Sequence, residues 1–332
     1  MSQRKRKQKE ASKDPDPASA QPATTAFRAA EKKYKRYKSA TQPVDLTDVI
    51  DFSNVQNNTA ENQALIVPIE PPLGEETLGG RIFSIKGYEG FCFICNAFSF
   101  DEQLEWTEKC LREYTEPPNI TNLNLHYGPI SGIFEALCGD EIIHPSNGED
   151  PYRAASTQPT AQGEKELPPK TVLLSKLRWA TLGYQYNWTD RSYNPRDHVP
   201  FPPELAILNT RFAKAAGMDL EAEAAIVNFY SLGLLLSLYS PPPPTHTHTH
   251  THTHTHTHTH KDTVLCGHLD DVEYDFEAPI VSISFGCSAI FLLGGTAKED
   301  PPLAILIRSG DVMIMGGKSR LCYHGMPLSY PS

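Results

Sequence analysis

The sequence predicts a mixed α/β, β-centred fold, an antiparallel sandwich or jelly roll with helices packed outside it. Three observations predict it. Val281, Ile283 and Phe285 alternate with Ser282 and Ser284, the period of a strand. Residues 288–295 (SAIFLLGG) form an apolar run stopped by two glycines. Residues 303–317 (LAILIRSGDVMIMGG) read as strand, Ser-Gly turn, strand, which predicts a hairpin. Short strands with turn signals between them are the pattern of such folds.

The other elements follow in chain order. Residues 1–25 are rich in Lys, Ala, Pro, Ser and Thr and are expected to be disordered. Residues 26–39 (AFRAAEKKYKRYKS), with spaced Phe27, Tyr34 and Tyr37, predict a short basic helix. Leu46, Val49, Ile50 and Phe52 stand at helical spacing and suggest a docking segment. The Pro-rich stretch 68–75 reads as a connector. From residue 82, short β-rich runs are broken by glycine. Residues 101–116 predict a helix, with Leu104, Cys110 and Leu111 on one stripe, Trp106 close by, and Asp101 and Glu102 in the first turn. Residues 145–169 read as a polar loop, and 177–188 (LRWATLGYQYNW) as an aromatic β segment. A helix over 202–217 starts on proline and stops at Gly217. The strand 224–230 (AAIVNFY) follows. Residues 320–327 start one more strand.

Residues 231–261 break this pattern. They end in alternating Thr and His from His246 to His260, which holds 8 of the chain's 13 histidines. A translated CA dinucleotide repeat gives that alternation, so a retained intron or microsatellite is expected. A His-rich tract has no fixed ligand geometry, and a metal role for it is not expected. The resulting organisation is a basic tail (1–40), a docking segment (41–81), an N-terminal part (82–230), the low-complexity insertion (231–261) and a strand-rich C-terminal core (262–332).

Composition bounds the function. The chain of 332 residues is 39% apolar and 21% charged, enough for a sizeable core. No apolar run approaches the ~20 residues of a membrane span, so no membrane partner is expected. The first ten residues lack a secretory h-region. Seven cysteines do not suggest a disulfide framework, so a reducing compartment is expected. Net charge is −10, yet residues 1–40 carry 12 basic and 4 acidic residues, +8. The remainder is therefore −18. A basic tail on an acidic body suits local contact with a polyanion. Arg4-Lys5-Arg6-Lys7 is compatible with nuclear import. Nucleus, cytoplasm or both are expected, with a mitochondrial pool left open. There is no Gly-rich phosphate loop and no Gly-x-Ser-x-Gly. Cys92-x-x-Cys95 has no second pair in reach, so a buried strand is expected there rather than zinc.

One constellation carries chemistry. His268 and Asp270 are two residues apart, which on a strand puts them on one face. His324 follows 56 residues later (324 − 268) on another predicted strand. Two imidazoles and a carboxylate can take one face of an octahedral metal and leave the opposite face open, as non-haem Fe(II) oxygenases require.

These residues carry a resemblance. The stretches GHLDDVEYDFEAPIVSISFGCSAIFLLGG and IRSGDVMIMGGKSRLCYHGMP resemble the catalytic core of the AlkB family of 2-oxoglutarate- and Fe(II)-dependent dioxygenases. TDVIDFS, GFCFICNAFS, LRWATLGYQYNW and AEAAIVNFY resemble its homologue-1 branch. The similarity runs over about residues 26–330 apart from 231–261. It implies a double-stranded β-helix (jelly roll), Fe(II), and 2-oxoglutarate and O₂ as co-substrates. His268, Asp270 and His324 match the iron ligands, and Asn228 and Tyr230 match an Asn-x-Tyr pair that contacts 2-oxoglutarate. Glu273 matches an acidic position by the substrate pocket. Trp179, Tyr184 and Tyr186 resemble an aromatic lid for a flipped base, and aromatic rings supply π-faces for one. Arg320 and Asp311 fall in matching motifs and are expected to be structural, Arg320 near the distal ligand and Asp311 capping a turn.

The implied activity is oxidative demethylation of N-methylated RNA, such as tRNA, or DNA, by a monomer. Two alternatives stay open: a protein-directed oxygenase on the same scaffold, or a non-catalytic binding module. The second arises because the family's Arg-x-Asn-x-Thr-x-Arg strand follows the second histidine, and its first arginine clamps the far carboxylate of 2-oxoglutarate. This sequence reaches Ser332, 8 residues past His324 (332 − 324). As written, the chain is expected to bind iron but hold 2-oxoglutarate poorly, with one sheet edge exposed. A spliced message without 231–261 that continues past Ser332 is expected.

Overall fold

The computed structural model describes residues 24–35, 43–70, 80–138, 176–187, 192–231, 247–251, 264–273 and 275–330. The N-terminal basic run, Tyr37, the loop 145–169 and most of 231–261 lie outside these residues. The chain begins with helix α1 (Ala26–Lys35), strand β1 (Val49–Ile50), helix α2 (Ala60–Leu65) and strands β2 (Ile66–Ile69), β3 (Arg81–Ile85) and β4 (Phe91–Cys95). Helix α3 (Phe100–Arg112), strand β5 (Ile120–Thr121) and short helices α4 (Asn124–Tyr127) and α5 (Ile133–Cys138) follow. Next come β6 (Trp179–Asn187), β7 (Ser192–His198), helix α6 (Pro203–Ala215), β8 (Ala224–Ser231) and β9 (Thr247–Thr251). The C-terminal third holds β10 (Leu265–His268), β11 (Ile280–Phe285), β12 (Ser288–Leu293), β13 (Leu303–Ile307), β14 (Val312–Met315) and β15 (His324–Tyr330). The class is mixed α/β and mostly β.

Two sheets form among the described residues. The smaller has the order β1-β13-β12-β15-β10. The larger runs β2-β3-β4-β14-β11-β9-β8-β6-β5, with β7 on β6. Phe291 and Ile305 from the small sheet pack between the sheets against Phe93 and Met313 from the large one. On the far side of the large sheet, α3 and α6 bury Cys110, Leu205 and Phe212. On the far side of the small sheet, α1 buries Phe27 and Tyr34. A ten-residue helix is marginal alone, so this apolar contact is what holds α1 as a helix. Among the described residues no helix is long and apolar enough to cross a membrane.

Several expectations are corrected. The segment 303–317 is not a hairpin. β13 pairs with β12 and β1, whereas β14 pairs with β11 and β4. Both strands are buried on both faces, so the Ser-Gly turn passes the chain from one sheet to the other. Asp311 holds that crossing: its Oδ2 accepts from the Arg308 N–H at 2.7 Å and its Oδ1 from the Asn96 N–H at 2.9 Å. Val49 and Ile50 form a strand parallel to β13 rather than a helix. They are adjacent yet serve different core clusters, Val49 with α1 and Ile50 between the sheets, which only an extended chain allows. Ile66–Ile69 is a strand at the end of the large sheet, where Pro68 is tolerated.

Leu104 is 54% exposed although it shares the stripe of Leu111; Cys110 is the residue α3 buries. The helix start is as expected, sharpened by a capping box between Ser99 and Glu102. Cys92 and Cys95 belong to different core clusters on opposite faces of β4, so they cannot share a metal. Thr247–Thr251, inside the tract read as an insertion, is a strand paired with β8 and β11, so the gap between those two strands is filled.

Candidate metal centre and adjoining cavity

β10 and β15 lie antiparallel, with His268 and His324 directly opposite. The imidazoles are 4.4 Å apart between ring centroids and tilted by 53°. Asp270 is not on the strand: β10 ends at His268, and the irregular segment that follows brings the carboxylate back. Its Oδ1 lies 3.5 Å from His268 Nε2 and its Oδ2 lies 3.5 Å from His324 Nε2. His268 is 3% exposed, and Asp270 and His324 are fully enclosed. Strand alternation therefore does not place Asp270, which lies past the end of β10, yet its carboxylate still meets both imidazoles.

Each imidazole is oriented in the same way. His268 Nδ1 donates to the carbonyl of Cys266 at 2.8 Å, and His324 Nδ1 to that of Cys322 at 3.1 Å. A carbonyl can only accept, so Nδ1 carries a proton in both rings and Nε2 is the nitrogen that faces Asp270. Phe291 lies nearly parallel to His324, with centroids 5.8 Å apart. Ligand atoms of the three residues all lie within 4.8 Å of one another. Two imidazoles and a carboxylate suit a first-row divalent ion, and neighbouring ligands at bond lengths of about 2.1 Å sit about 3 Å apart. The donor set fits such an ion with a small contraction.

Arg320 knits the loop that carries Asp270. It precedes β15 in a short 3₁₀ turn, Gly317–Leu321, and is 2% exposed. Its Nη1 donates to the Asp270 carbonyl at 2.6 Å and its Nε to Ala278 O at 3.2 Å; Nη2 pairs with Glu273 Oε2 at 3.0 Å. The expected structural role near the ligands is what the geometry shows. Asp311 caps its turn, as expected.

Asn228 and Tyr230 lie on β8, two apart and thus on one face. Tyr230 clusters with Leu265 and Met326. Those two residues are themselves paired across β10 and β15, on the same ladder as His268 and His324. The Asn228–Tyr230 face therefore looks toward the metal-side strands. Asn228 is buried, and among the described residues its Nδ2 makes no hydrogen bond. Burial pushes the Tyr230 phenol far up, which keeps it a neutral donor.

A cavity of about 330 Å³ lies beside Arg320, which bonds the Asp270 carbonyl, and Tyr184, Tyr193 and Glu273 are also in its lining. Burial, then the Glu273 and Asp270 carboxylates, push the Tyr193 phenol well up. Tyr184 and Glu273 both line this cavity. Trp179 is not in the cavity lining. It is buried and paired with Asn228 across β6 and β8. Tyr186 is buried against Tyr193 at 5.3 Å. Tyr193 escaped the sequence reading because Pro195 disguised β7 as a loop, and Phe291 because an apolar strand residue carries no mark of its neighbour.

Residues 149–332 match the family model described as the 2OG-Fe(II) oxygenase superfamily. Among curated proteins, the chain is 35% identical over 321 residues to the "DNA N(6)-methyladenine demethylase ALKBH1A" of Arabidopsis thaliana, covering 91% of this chain and 84% of that protein. It is 31% identical over 327 residues to the "Nucleic acid dioxygenase ALKBH1" of Homo sapiens, covering 94% and 72%. The "tRNA demethylase abh1" of Schizosaccharomyces pombe is 29% identical over 92% of this chain and 85% of that protein. The solved structure of OsALKBH1 aligns with a TM-score of 0.41 at 19% identity, over 73% of this chain and 86% of that chain.

Proposed function

The chain belongs to the AlkB family within the 2OG-Fe(II) oxygenase superfamily, and from that membership we propose that it is an Fe(II)- and 2-oxoglutarate-dependent dioxygenase that demethylates N-methylated bases in nucleic acid. The observation that carries the proposal is the buried convergence of His268, Asp270 and His324. The two-sheet body, with strands that change sheet at the 308–311 turn, is read as a double-stranded β-helix.

In this reading His268, Asp270 and His324 hold the iron. The Nδ1 contacts to Cys266 and Cys322 fix which nitrogens serve. Bound Fe(II), with 2-oxoglutarate and O₂, supplies the oxidation that turns the N-methyl group into formaldehyde while the co-substrate becomes succinate and CO₂. The Asn228 amide and the neutral Tyr230 hydroxyl offer donors to the dicarboxylate. Arg320 keeps the Asp270 loop from relaxing away from the imidazoles.

The cavity beside Glu273 receives the base. Among the described residues its lining carries Glu221, Glu223, Glu273 and Asp275 against a single cation, Arg320, which is already paired. A phosphate has no charge partner left there, so the group that enters is the base, flipped from its stack onto Tyr184.

The test is product analysis with the full chain, Fe(II) and 2-oxoglutarate. Formaldehyde and succinate in equal amounts are expected from N-methylated RNA or DNA and not from a methylated peptide, with none from His268→Ala. Turnover of the peptide alone would move the proposal to a protein-directed oxygenase. Undiminished demethylation by His268→Ala would remove the metal assignment.

A further inference from the structure

We propose that Glu31 is a positioning residue for His268, acting through the single peptide group that joins Cys266 to Gly267. The inference rests on the metal centre proposed above. Glu31 lies on α1, 236 residues from Gly267 in sequence, and its Oε1 accepts the Gly267 N–H at 2.8 Å. The carbonyl at the other end of that peptide, Cys266 O, accepts His268 Nδ1 at 2.8 Å. The N–H and C=O of one peptide share a rigid plane. A carboxylate drawing on the N–H enriches the oxygen at the far end, and hydrogen bonds in series strengthen one another. A stronger hold on Nδ1 makes Nε2 the better metal donor and fixes the ring plane.

The surroundings keep this relay in place. Glu31 is 3% exposed, and its other oxygen takes Arg28 Nη1 at 2.6 Å. The Phe27 ring fills the space beside Gly267, where a Cβ would come within 2.3 Å of it. Any larger residue at 267 would push α1 away and open the contact.

Docking α1 does not by itself call for a buried carboxylate. Phe27 and Tyr34 already supply the apolar contact, and burying a charge is unfavourable unless its partners are in place. The second imidazole shows the contrast. His324 rests on the Cys322 carbonyl, and the N–H of that peptide, on Tyr323, donates to the neutral Gly295 carbonyl at 2.8 Å. The pair is built unequally, with charge behind His268 alone.

The test is Co(II) titration of the full chain, read by the d–d absorption and by the dissociation constant, alongside the melting temperature. Glu31→Ala is expected to weaken Co(II) binding on the order of tenfold and to shift the band. Glu31→Gln, which keeps an acceptor but loses the charge, is expected to fall between it and the wild type. Tyr34→Ala, which loosens the same helix, is expected to lower the melting temperature and leave the affinity of the folded chain alone. If Glu31→Ala does not fold, the near-isosteric Gln variant decides. Binding at wild-type strength in the folded Glu31 variants, or an equal loss in Tyr34→Ala, would overturn the relay. Wild-type Co(II) binding by His268→Ala would instead sink the metal centre, and the relay with it.

Discussion

His268 and His324 are cross-strand partners on β10 and β15, and each rests its Nδ1 on the carbonyl two residues before it. The ladder thus presents two Nε2 atoms to the same carboxylate with neither ring free to turn. A ligand that binds this arrangement and not the unfolded chain must stabilise it, by about 2.7 kcal/mol at 100 times its dissociation constant. Added Mn(II) is therefore expected to raise the melting temperature of the wild type and to leave that of His268→Ala, His324→Ala or Asp270→Ala unmoved. Differential scanning fluorimetry with and without a chelator checks this.

Arg320 bonds in three directions, to two main-chain carbonyls and to Glu273. Lysine keeps the charge but has a single nitrogen and no fork. Arg320→Lys is expected to lower stability by about 2 kcal/mol, the range for leaving a buried acceptor without its donor. It should also release metal at lower chelator concentration, because the Asp270 carbonyl loses its anchor. Urea unfolding and chelator titration measure the two effects separately.

What could be read from the residues divides along a physical line. The ligand chemistry of His268, Asp270 and His324 is written in the side chains themselves, and the apolar runs at 280–293 and 303–315 mark buried strands wherever they pair. Which sheet a strand joins is not local. β13 and β14 are four residues apart across a turn that looks like a hairpin turn, and only the burial of both faces of both strands separates them. Alternation predicts Asp270 on the strand with His268, but it lies in the irregular segment that follows. Trp179 carries the same aromatic signal as Tyr184, yet β6 buries it opposite Asn228. Glu31 reads as one more charge on a basic helix, since its partner is 236 residues on.

Two acids flank Arg308 and respond oppositely to pH. Burial pushes the Asp311 carboxyl up from 3.8 to about 6, against hydrogen bonds from the Asn96 and Arg308 main chain. A folded pKa above the unfolded one gives a stabilising contribution that is whole below about pH 4 and is lost as pH rises through about 6. For Asp51, burial also acts upward, but the paired bonds from Arg308 and those from Asn54 outweigh it, so its carboxyl sits below 3.8. Its contribution is present above the ordinary carboxylate range and is lost as pH falls through the lowered value. Asp311→Asn is therefore expected to be more damaging at about pH 4 than at about pH 7, by on the order of 2 kcal/mol. Asp51→Asn is expected to show the reverse order. Chemical denaturation at the two pH values distinguishes them.

Asn228 and Tyr230 face the metal-side strands with one amide and one hydroxyl donor. A hydrogen bond to a charged group contributes about 1.5–3 kcal/mol. Tyr230→Phe and Asn228→Ala are each expected to raise the KM for 2-oxoglutarate by on the order of tenfold, with Mn(II) affinity measured without the co-substrate little changed. An equal loss of Mn(II) binding would show instead that β8 holds the ligand strands in place and does not contact the dicarboxylate.

Tyr184 is the aromatic residue that reaches the cavity while its neighbours on β6 turn inward. Gly183, at φ +71°, makes this possible: any Cβ there would meet the Glu223 carbonyl at 1.9 Å. A ring stacked on a base contributes about 1–3 kcal/mol. Tyr184→Ala is thus expected to raise the KM for a methylated oligonucleotide by on the order of tenfold, and Tyr184→Phe to keep most of the binding. Trp179→Phe, buried beside Asn228, is expected to act through the 2-oxoglutarate KM instead. If Trp179→Phe raised the oligonucleotide KM while Tyr184→Ala did not, the base would have to lie on the Asn228 side of β6, and the cavity beside Glu273 would lose its role.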